Sequence, residues 1–202
     1  GVVIQEVNKD LAESFGLNKP AGALVAKVLP DSPAENAGLQ DGDIILKFDG
    51  QQINLSSDLP HQVGRVVPGS SVQLDIVRGG KNRKVAVKIG TLSDGDRPEK
   101  ASHGISPEPE SNRLNVVVSE LTDQQKDKWN LRNGVVIEKV LAGAGANAGL
   151  VAGDVITMLN GKRVESIKQF ISLVNDLPAG RSVPLRIVRR GSPLFIPLKL
   201  GS

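Results

Sequence analysis

Apolar residues recur at every second position over Leu24–Val28, a period that predicts a half-buried β-strand. Ser32 and the proline after it are the residue types preferred at a helix N-cap and at the first helical position, so one helical turn is expected over Pro33–Ala37. The run Asp43–Phe48 predicts a buried strand, and Asp49-Gly50 has the composition of a tight hairpin turn. The pattern therefore predicts a strand, a short helix, a strand and a turn in immediate succession.

A longer helix and two further strands follow this group of elements. The helix is predicted over Ser57–Val67, because apolar residues return there at spacings of three and four positions and so share one helical face. That face consists of Leu59, Val63 and Val66. Runs rich in β-branched residues predict strands over Val72–Val77 and Val85–Ile89. Upstream of all of these, Gly1–Val7 predicts a first strand.

The whole pattern occurs a second time. Gly22–Ile53 returns as Gly134–Val164, and from Ala37 onward the two copies hold one constant offset without a gap. A register kept over that length indicates an internal duplication. The second copy predicts a helix over Ser166–Leu177 with Phe170, Val174 and Leu177 on its apolar face, and closing strands over Val183–Val188 and Leu194–Leu200. Pro184 and Pro197 in these strands favour edge positions or bulges.

The predicted fold class is therefore mainly β with short helices (α+β). Each copy is expected to form a partly open antiparallel β-barrel of about five strands and two helices. Residues 1–90 form the first domain and residues 113–202 the second. Between them, residues 91–112 hold five acidic and two basic residues and three prolines, a composition that predicts a flexible linker. Because Gly1 already lies within a strand, the first domain is expected to lack its N-terminal edge, and the run that ends at Gly201 is expected to be a true C-terminus.

Composition and charge remove several function classes. The net charge is only +3, and the basic residues are scattered without interleaved aromatic residues, so the sequence does not favour nucleic-acid binding. No apolar run reaches the eighteen residues of a membrane-spanning helix, so no membrane insertion is expected. The chain has no cysteine, which excludes disulfides and thiol nucleophiles and is compatible with a periplasmic protein.

Catalytic chemistry has little support in the sequence. The chain has two histidines, His61 on the predicted helix and His103 in the predicted linker, and neither recurs in the other copy. Asp43 and Asp154 do recur, but a carboxylate in a Gly-Asp turn is more often a turn hydrogen-bonding group than a general acid. With so few ligands of the right type, no metal site and no cofactor are expected. We therefore predict that this chain has no enzyme activity of its own.

The repeated motif resembles a known family. The stretch Ser32-Pro33-Ala34 followed by Ala37-Gly38-Leu39 and Gly42-Asp43, with a later Ile-x-Arg-x-Gly, is similar to PDZ domains of the bacterial HtrA/Deg type. Two such domains in tandem resemble the C-terminal half of a Do-like periplasmic serine endoprotease. The nucleophile loop Gly-Asn-Ser-Gly-Gly of that family does not occur in this chain.

The resemblance implies where a ligand would bind. In this family an extended peptide, usually a free C-terminus, adds as a strand beside the first strand of the module and packs against the longer helix, and the loop x-Φ-Gly-Φ captures its carboxylate. Asn115 stands where the loop has glycine in the second module, and asparagine tolerates left-handed backbone geometry better than most residues. The implied site residues are Gly1, Val2, Ile4, Leu59 and Val63 in the first module, and Leu114, Asn115, Val116, Val118, Phe170 and Val174 in the second. The alternative is that the apolar members of both sets belong to the core.

The resemblance also implies a function and partners. The first module would bind hydrophobic C-termini of misfolded proteins and relay activation to a protease domain of the parent chain, in the periplasm. The second module would join homo-oligomer assembly of the full-length protein. Two alternatives stay open: a non-proteolytic PDZ scaffold or adaptor, and the PDZ region of an intramembrane zinc protease.

Overall fold

The computed structural model describes residues 1–90 and 112–201. The chain divides into two compact units, Gly1–Asp96 and Arg97–Ser202. The predicted linker lies outside the described residues except for Asn112, which is buried in the second unit.

The first unit contains six strands and three helices in its described part. In chain order these are β1 (Val2–Glu6), α1 (Lys9–Ser14), β2 (Ala23–Val28), α2 (Pro33–Asn36), β3 (Ile44–Phe48), β4 (Gln51–Gln52), α3 (Asp58–Val63), β5 (Ser71–Arg78) and β6 (Lys81–Lys88).

The described part of the second unit repeats this succession. Its elements are β7 (Val116–Glu120), α4 (Asp123–Trp129), β8 (Val135–Val140), α5 (Ala144–Asn147), β9 (Val155–Leu159), β10 (Lys162–Arg163), α6 (Ile167–Asn175), β11 (Ser182–Arg189) and β12 (Ser192–Lys199).

Each unit is built on one antiparallel sheet. The strand order is β1-β2-β3-β5-β6 in the first unit and β12-β11-β9-β8-β7 in the second, with the two-residue strands β4 and β10 paired to β3 and β9. The sheets are open, so β1 and β6 are edge strands, as are β7 and β12. The predicted fold class is confirmed. Each unit has one strand and one helix more than the predicted five and two, because the two-residue strand and all the short helices count as elements.

The two edges of each sheet differ in chemistry. Of the described strands, β6 pairs with β5 alone, and its basic side chains Lys81, Arg83, Lys84 and Lys88 are exposed. In the second unit the same edge is formed by β12, which contains Pro193 and Pro197. Proline has no N–H to donate, and charged side chains resist burial, so both edges are poor templates for another strand.

The longer helix of each unit differs from its prediction in length. The first was predicted over Ser57–Val67, but α3 ends at Val63, because Gly64 follows and the chain continues in turns toward Pro68. Glycine is a poor helix residue, and Val67 beyond it is largely exposed. The prediction was therefore too long at its C-terminal end. The helix α6 reaches Asn175, closer to the predicted Leu177, and the Ser166 hydroxyl accepts a hydrogen bond from the Gln169 N–H at its start.

A buried ion pair stands at the same place in both units. In the first, Arg78 donates to both carboxylate oxygens of Asp43, at 2.6 Å each, and to the carbonyl of Gly38 at 2.8 Å. Asp43 is fully buried, and its hydrogen bond raises the pKa of Arg78 above its ordinary value. The pair therefore joins the start of β3 to the end of β5 and accounts for the repeated Gly-Asp and Ile-x-Arg motifs.

The second unit repeats this pair. Arg189 donates to Asp154 at 2.8 and 2.7 Å and to the Gly149 carbonyl at 2.7 Å. Both aspartates thus have a structural partner that sequence reasoning did not assign to them.

Candidate functional site

The outer edge of β1 is open in the first unit. Within the described residues β1 pairs with β2 alone, so its other side offers unpaired backbone donors and acceptors. Val2 and Ile4 are half-buried and pack against the core cluster that contains Leu59. Val63, one turn after Leu59 on α3, is half-buried against the same cluster. The open strand edge and the partly exposed apolar side chains of β1 and α3 thus lie against one core cluster, where the first groove is predicted.

One end of this groove is fixed by a hydrogen-bonded contact. The Glu6 carboxylate, at the end of β1, accepts hydrogen bonds from the Ser56 N–H at 3.0 Å and from the Ser56 hydroxyl. Ser56 lies two residues before α3. The contact therefore ties the end of the edge strand to the start of the helix.

The other end of the groove begins at Gly1. Its carbonyl accepts hydrogen bonds from the Leu29 N–H at 2.8 Å and from the Ser32 hydroxyl at 3.2 Å. In the second unit the Asn115 carbonyl accepts the corresponding bond from the Leu141 N–H at 2.8 Å. Gly1 and Asn115 are therefore equivalent positions. Asn115 has a φ of 55°, the left-handed conformation that the sequence analysis expected it to tolerate.

The loop that precedes β7 is bonded to itself. The Leu114 N–H donates to the side-chain oxygen of Asn112 at 3.1 Å, and the Asn115 N–H donates to the backbone carbonyl of Asn112 at 2.8 Å. The Asn112 amide group also donates to the Val116 carbonyl at 2.8 Å. Two backbone N–H groups of the predicted carboxylate loop thus already have acceptors within the chain.

Arg113 links this loop to the end of α6. Its guanidinium donates to the carbonyls of Asn175 at 3.1 Å and Leu177 at 3.2 Å. The side chain therefore spans from the loop before β7 to the C-terminal end of the helix that would form the other wall of a groove.

The predicted lining of the second groove is part of the core. All its apolar members lie in one hydrophobic cluster and none is more than 6% exposed. These residues are Leu114, Val116, Val118, Phe170 and Val174. Asn115 is half-buried. Val2 and Ile4 are therefore half-buried in the first unit, whereas their counterparts Val116 and Val118 are buried in the second.

Sequence reasoning missed three contributors to these arrangements. Glu6 and Ser56 are polar residues at element ends, where the apolar pattern carries no information. Asn112 was assigned to the linker, although an asparagine two residues before a turn often bonds to backbone N–H groups ahead of it. That local preference was the available signal.

The other candidates are the two histidines of the chain. His61 is exposed on α3, and His103 lies outside the described residues. Residues 1–90 and 112–201 contain no group of three His, Cys, Asp or Glu side chains placed to hold a metal ion. Within the same ranges, no helix has the length and apolar character needed to cross a membrane.

Comparison with known proteins matches both units. The sequence profile of the PDZ domain family fits residues 1–89, and a second PDZ domain profile fits residues 136–189. These two matches, together with the open strand edge, place the chain in the class of peptide-binding modules. It belongs to the PDZ domain family, with one match in each unit.

Curated relatives agree over the whole chain. A protein of Pseudomonas fulva named "Probable periplasmic serine endoprotease DegP-like" is 53% identical over 203 residues, which cover 100% of this chain and 42% of the relative. A protein of the same name from Hahella chejuensis is 48% identical, covering 100% of this chain and 43% of its own length. The chain thus spans less than half the length of these relatives. Among solved structures, "HtrA-type protease AlgW with decapeptide" is 34% identical over 47% of this chain and 29% of its own, with a TM-score of 0.43.

Proposed function

We propose that the chain is the ligand-binding and regulatory region of a periplasmic HtrA-type serine endoprotease. In this proposal the first unit binds exposed hydrophobic C-termini of misfolded proteins and passes the signal to a protease domain of the parent chain. The relatives' names support the periplasm and the endoprotease activity, and favour them over a scaffold or an intramembrane zinc protease.

The open edge of β1 is the observation that carries the proposal. A peptide that adds as a strand there gains backbone hydrogen bonds from β1 and covers the exposed parts of Val2, Ile4 and Val63. Free backbone donors and acceptors supply affinity for any extended chain, and the apolar side chains favour apolar residues of the ligand. The groove therefore suits short hydrophobic segments of many sequences.

The second unit is proposed to act in assembly of the full-length oligomer. Its loop donors are occupied by Asn112, its lining is buried, and Arg113 joins the loop to α6. Binding a C-terminus there would require these bonds to break before any ligand contact formed. We therefore assign ligand capture to the first unit and a docking role to the second.

Fluorescent peptides that end in Val, Leu, Phe or Ala test ligand capture, each as a free acid and as a C-terminal amide. Both this chain and one extended by about five upstream residues are titrated. We expect micromolar binding that amidation weakens, more so in the extended chain, because carboxylate capture uses the loop before β1. Equal binding of acid and amide by both chains would remove the C-terminus from the proposal.

A matched pair of variants assigns the binding to one unit. Val63→Ala removes two partly exposed methyl groups from the first groove and is expected to weaken peptide binding roughly three- to tenfold. Val174→Ala, at the equivalent position in the second unit, is expected to lower stability without changing peptide affinity, since Val174 is fully buried. Weaker binding by Val174→Ala with unchanged binding by Val63→Ala would place the ligand in the second unit.

A further inference from the structure

The position of Glu6 in the first groove determines which residue of a bound peptide lies beside it. This step rests on the proposed function. If the ligand carboxylate lies at the Gly1 end, the rest of the peptide must run along β1 toward Glu6. Side chains alternate along a strand, so Val2, Ile4 and Glu6 face the same side, and the pairing of Ile4 and Glu6 with the core residues Val25 and Ala23 agrees with this. At roughly 3.3 Å per residue, Glu6 lies opposite the ligand residue about four positions before the last.

Two carboxylates are held at this end of the groove. Glu6 is fixed by its bonds from Ser56, and Asp58, two residues further on, accepts hydrogen bonds from the backbone N–H groups of Leu55 at 2.9 Å and Asn54 at 3.0 Å. Both residues are accessible to solvent, and in the described part of the chain neither forms an ion pair with a lysine or arginine. The bonds from Leu55 and Asn54 hold the pKa of Asp58 below its ordinary value, so it is charged at neutral pH. The positions of both charges are therefore set before a ligand arrives.

The fold does not require a negative charge at the position of Asp58, nor a serine partner for the position of Glu6. Gln169 is the counterpart of Asp58, and its neutral amide oxygen accepts the equivalent bond from the Glu165 N–H at 2.8 Å. Ile167 is the counterpart of Ser56 and packs against the core, so the hydroxyl that holds Glu6 has no equivalent in the second unit. The second unit keeps a carboxylate at the equivalent of Glu6, Glu120, but has neutral Gln169 at the equivalent of Asp58, so in the described chain the pair of anchored carboxylates belongs to the first unit and helix capping does not demand it.

We infer that Glu6 and Asp58 are specificity-determining residues of the first groove and favour peptides with a lysine or arginine four or five residues before an apolar C-terminal residue. Lysine and arginine side chains are long enough to reach either carboxylate from that part of the ligand. Each exposed charge contact is expected to improve affinity about two- to fivefold. The preference should weaken as salt is added, because both carboxylates are open to solvent.

The test uses three peptides with the same apolar C-terminus and Lys, Gln or Glu at the fifth residue from the end. Their affinities for this chain and for its extended form are measured at low and high ionic strength. We expect affinity to fall in the order Lys, Gln, Glu. The Lys peptide should bind roughly four- to twentyfold more tightly than the Glu peptide at low salt, and this ratio should become smaller at high salt. Glu6→Gln and Asp58→Asn keep an acceptor for the local hydrogen bonds. Each is expected to reduce the ratio of affinities between the Lys and the Glu peptide. Glu120→Gln, at the equivalent of Glu6 in the second unit, is the matched control and should leave the ratio of peptide affinities unchanged.

Different results separate this inference from the function on which it rests. Equal affinity for the three peptides, with binding still sensitive to amidation, overturns the charge preference and leaves C-terminus binding intact. The inference is also overturned if Glu120→Gln loses the preference for lysine while Glu6→Gln and Asp58→Asn both retain it. Absence of binding by every peptide in both chains overturns the proposed function and the inference together.

Discussion

Asn115 shows that the left-handed backbone conformation at this position can be adopted by a residue other than glycine. Its φ of 55° is the left-handed geometry that glycine adopts most easily, and asparagine reaches it at lower cost than most residues. The side chain then adds a hydrogen bond of its own, because the amide nitrogen donates to the Ala142 carbonyl at 3.0 Å. At this position, asparagine therefore allows the left-handed backbone conformation and adds a side-chain hydrogen bond that glycine cannot form.

Gln62 on α3 provides a test of residue-level stability. Its side-chain oxygen is buried and has no hydrogen-bond partner in the described part of the chain, whereas the equivalent residue of α6, Leu173, is a buried apolar side chain of the core. A buried acceptor without a partner costs about 1–3 kcal/mol. We expect Gln62→Leu to raise the free energy of unfolding of the first unit by about that amount, measured by denaturant titration. A Gln62→Glu chain of equal or greater stability would contradict this explanation.

The residues that the sequence identified and those it missed differ in physical kind. Val2, Ile4 and Val63 were found because apolar residues at a strand or helix period indicate a shared face, and all three lie half-buried against one core cluster. Asn112 and Glu6 act through single hydrogen bonds to partners whose identity depends on how the chain folds back. Periodicity cannot reveal such a bond. Whether the predicted groove residues contact a ligand stays a prediction.

At the scale of elements, the ion pairs that join strands are the feature with the sharpest consequence. Arg78 and Asp43 connect the end of β5 to the start of β3, and removing the arginine would leave a fully buried carboxylate without its cation. Breaking such a pair from one side costs about 3 kcal/mol. We therefore expect Arg78→Gln to destabilise the first unit by about that amount, and Arg189→Gln to do the same in the second. Thermal unfolding of both variants measures this.

A double variant controls for loss of packing. Arg78→Gln with Asp43→Asn removes both charges, so it should be less destabilised than Arg78→Gln alone. A double variant that is less stable by the sum of the two single effects would show that the pair contributes no coupling.

The lengths of α3 and α6 show what the apolar pattern can and cannot predict at this scale. The pattern located both helices and their buried faces, because three- and four-residue spacing is a strong signal. It did not locate the end of α3, since Val66 continues the spacing beyond Gly64 although the backbone has already left the helix. Val66 still packs against the core from a turn.

At the scale of the whole molecule, duplication has produced two units of one fold whose predicted groove residues differ in burial. If only the first groove is open, one chain should bind one peptide. Isothermal titration with a tight hydrophobic C-terminal peptide is expected to give a stoichiometry near one, because the second lining is buried and its loop donors are bonded to Asn112. A stoichiometry of two would contradict the assignment of ligand capture to the first unit alone.

The edge strands of the first sheet also determine how copies of the protein meet at high concentration. A strand edge that accepts a peptide could accept the opposite edge of another copy, and repetition of that step would build a fibre. The exposed Lys81, Arg83, Lys84 and Lys88 on β6 oppose it, because these charges would have to lose water and approach a neighbouring sheet. The asymmetry between an open edge and a charged edge is therefore expected to oppose fibre formation by edge-to-edge pairing of first sheets.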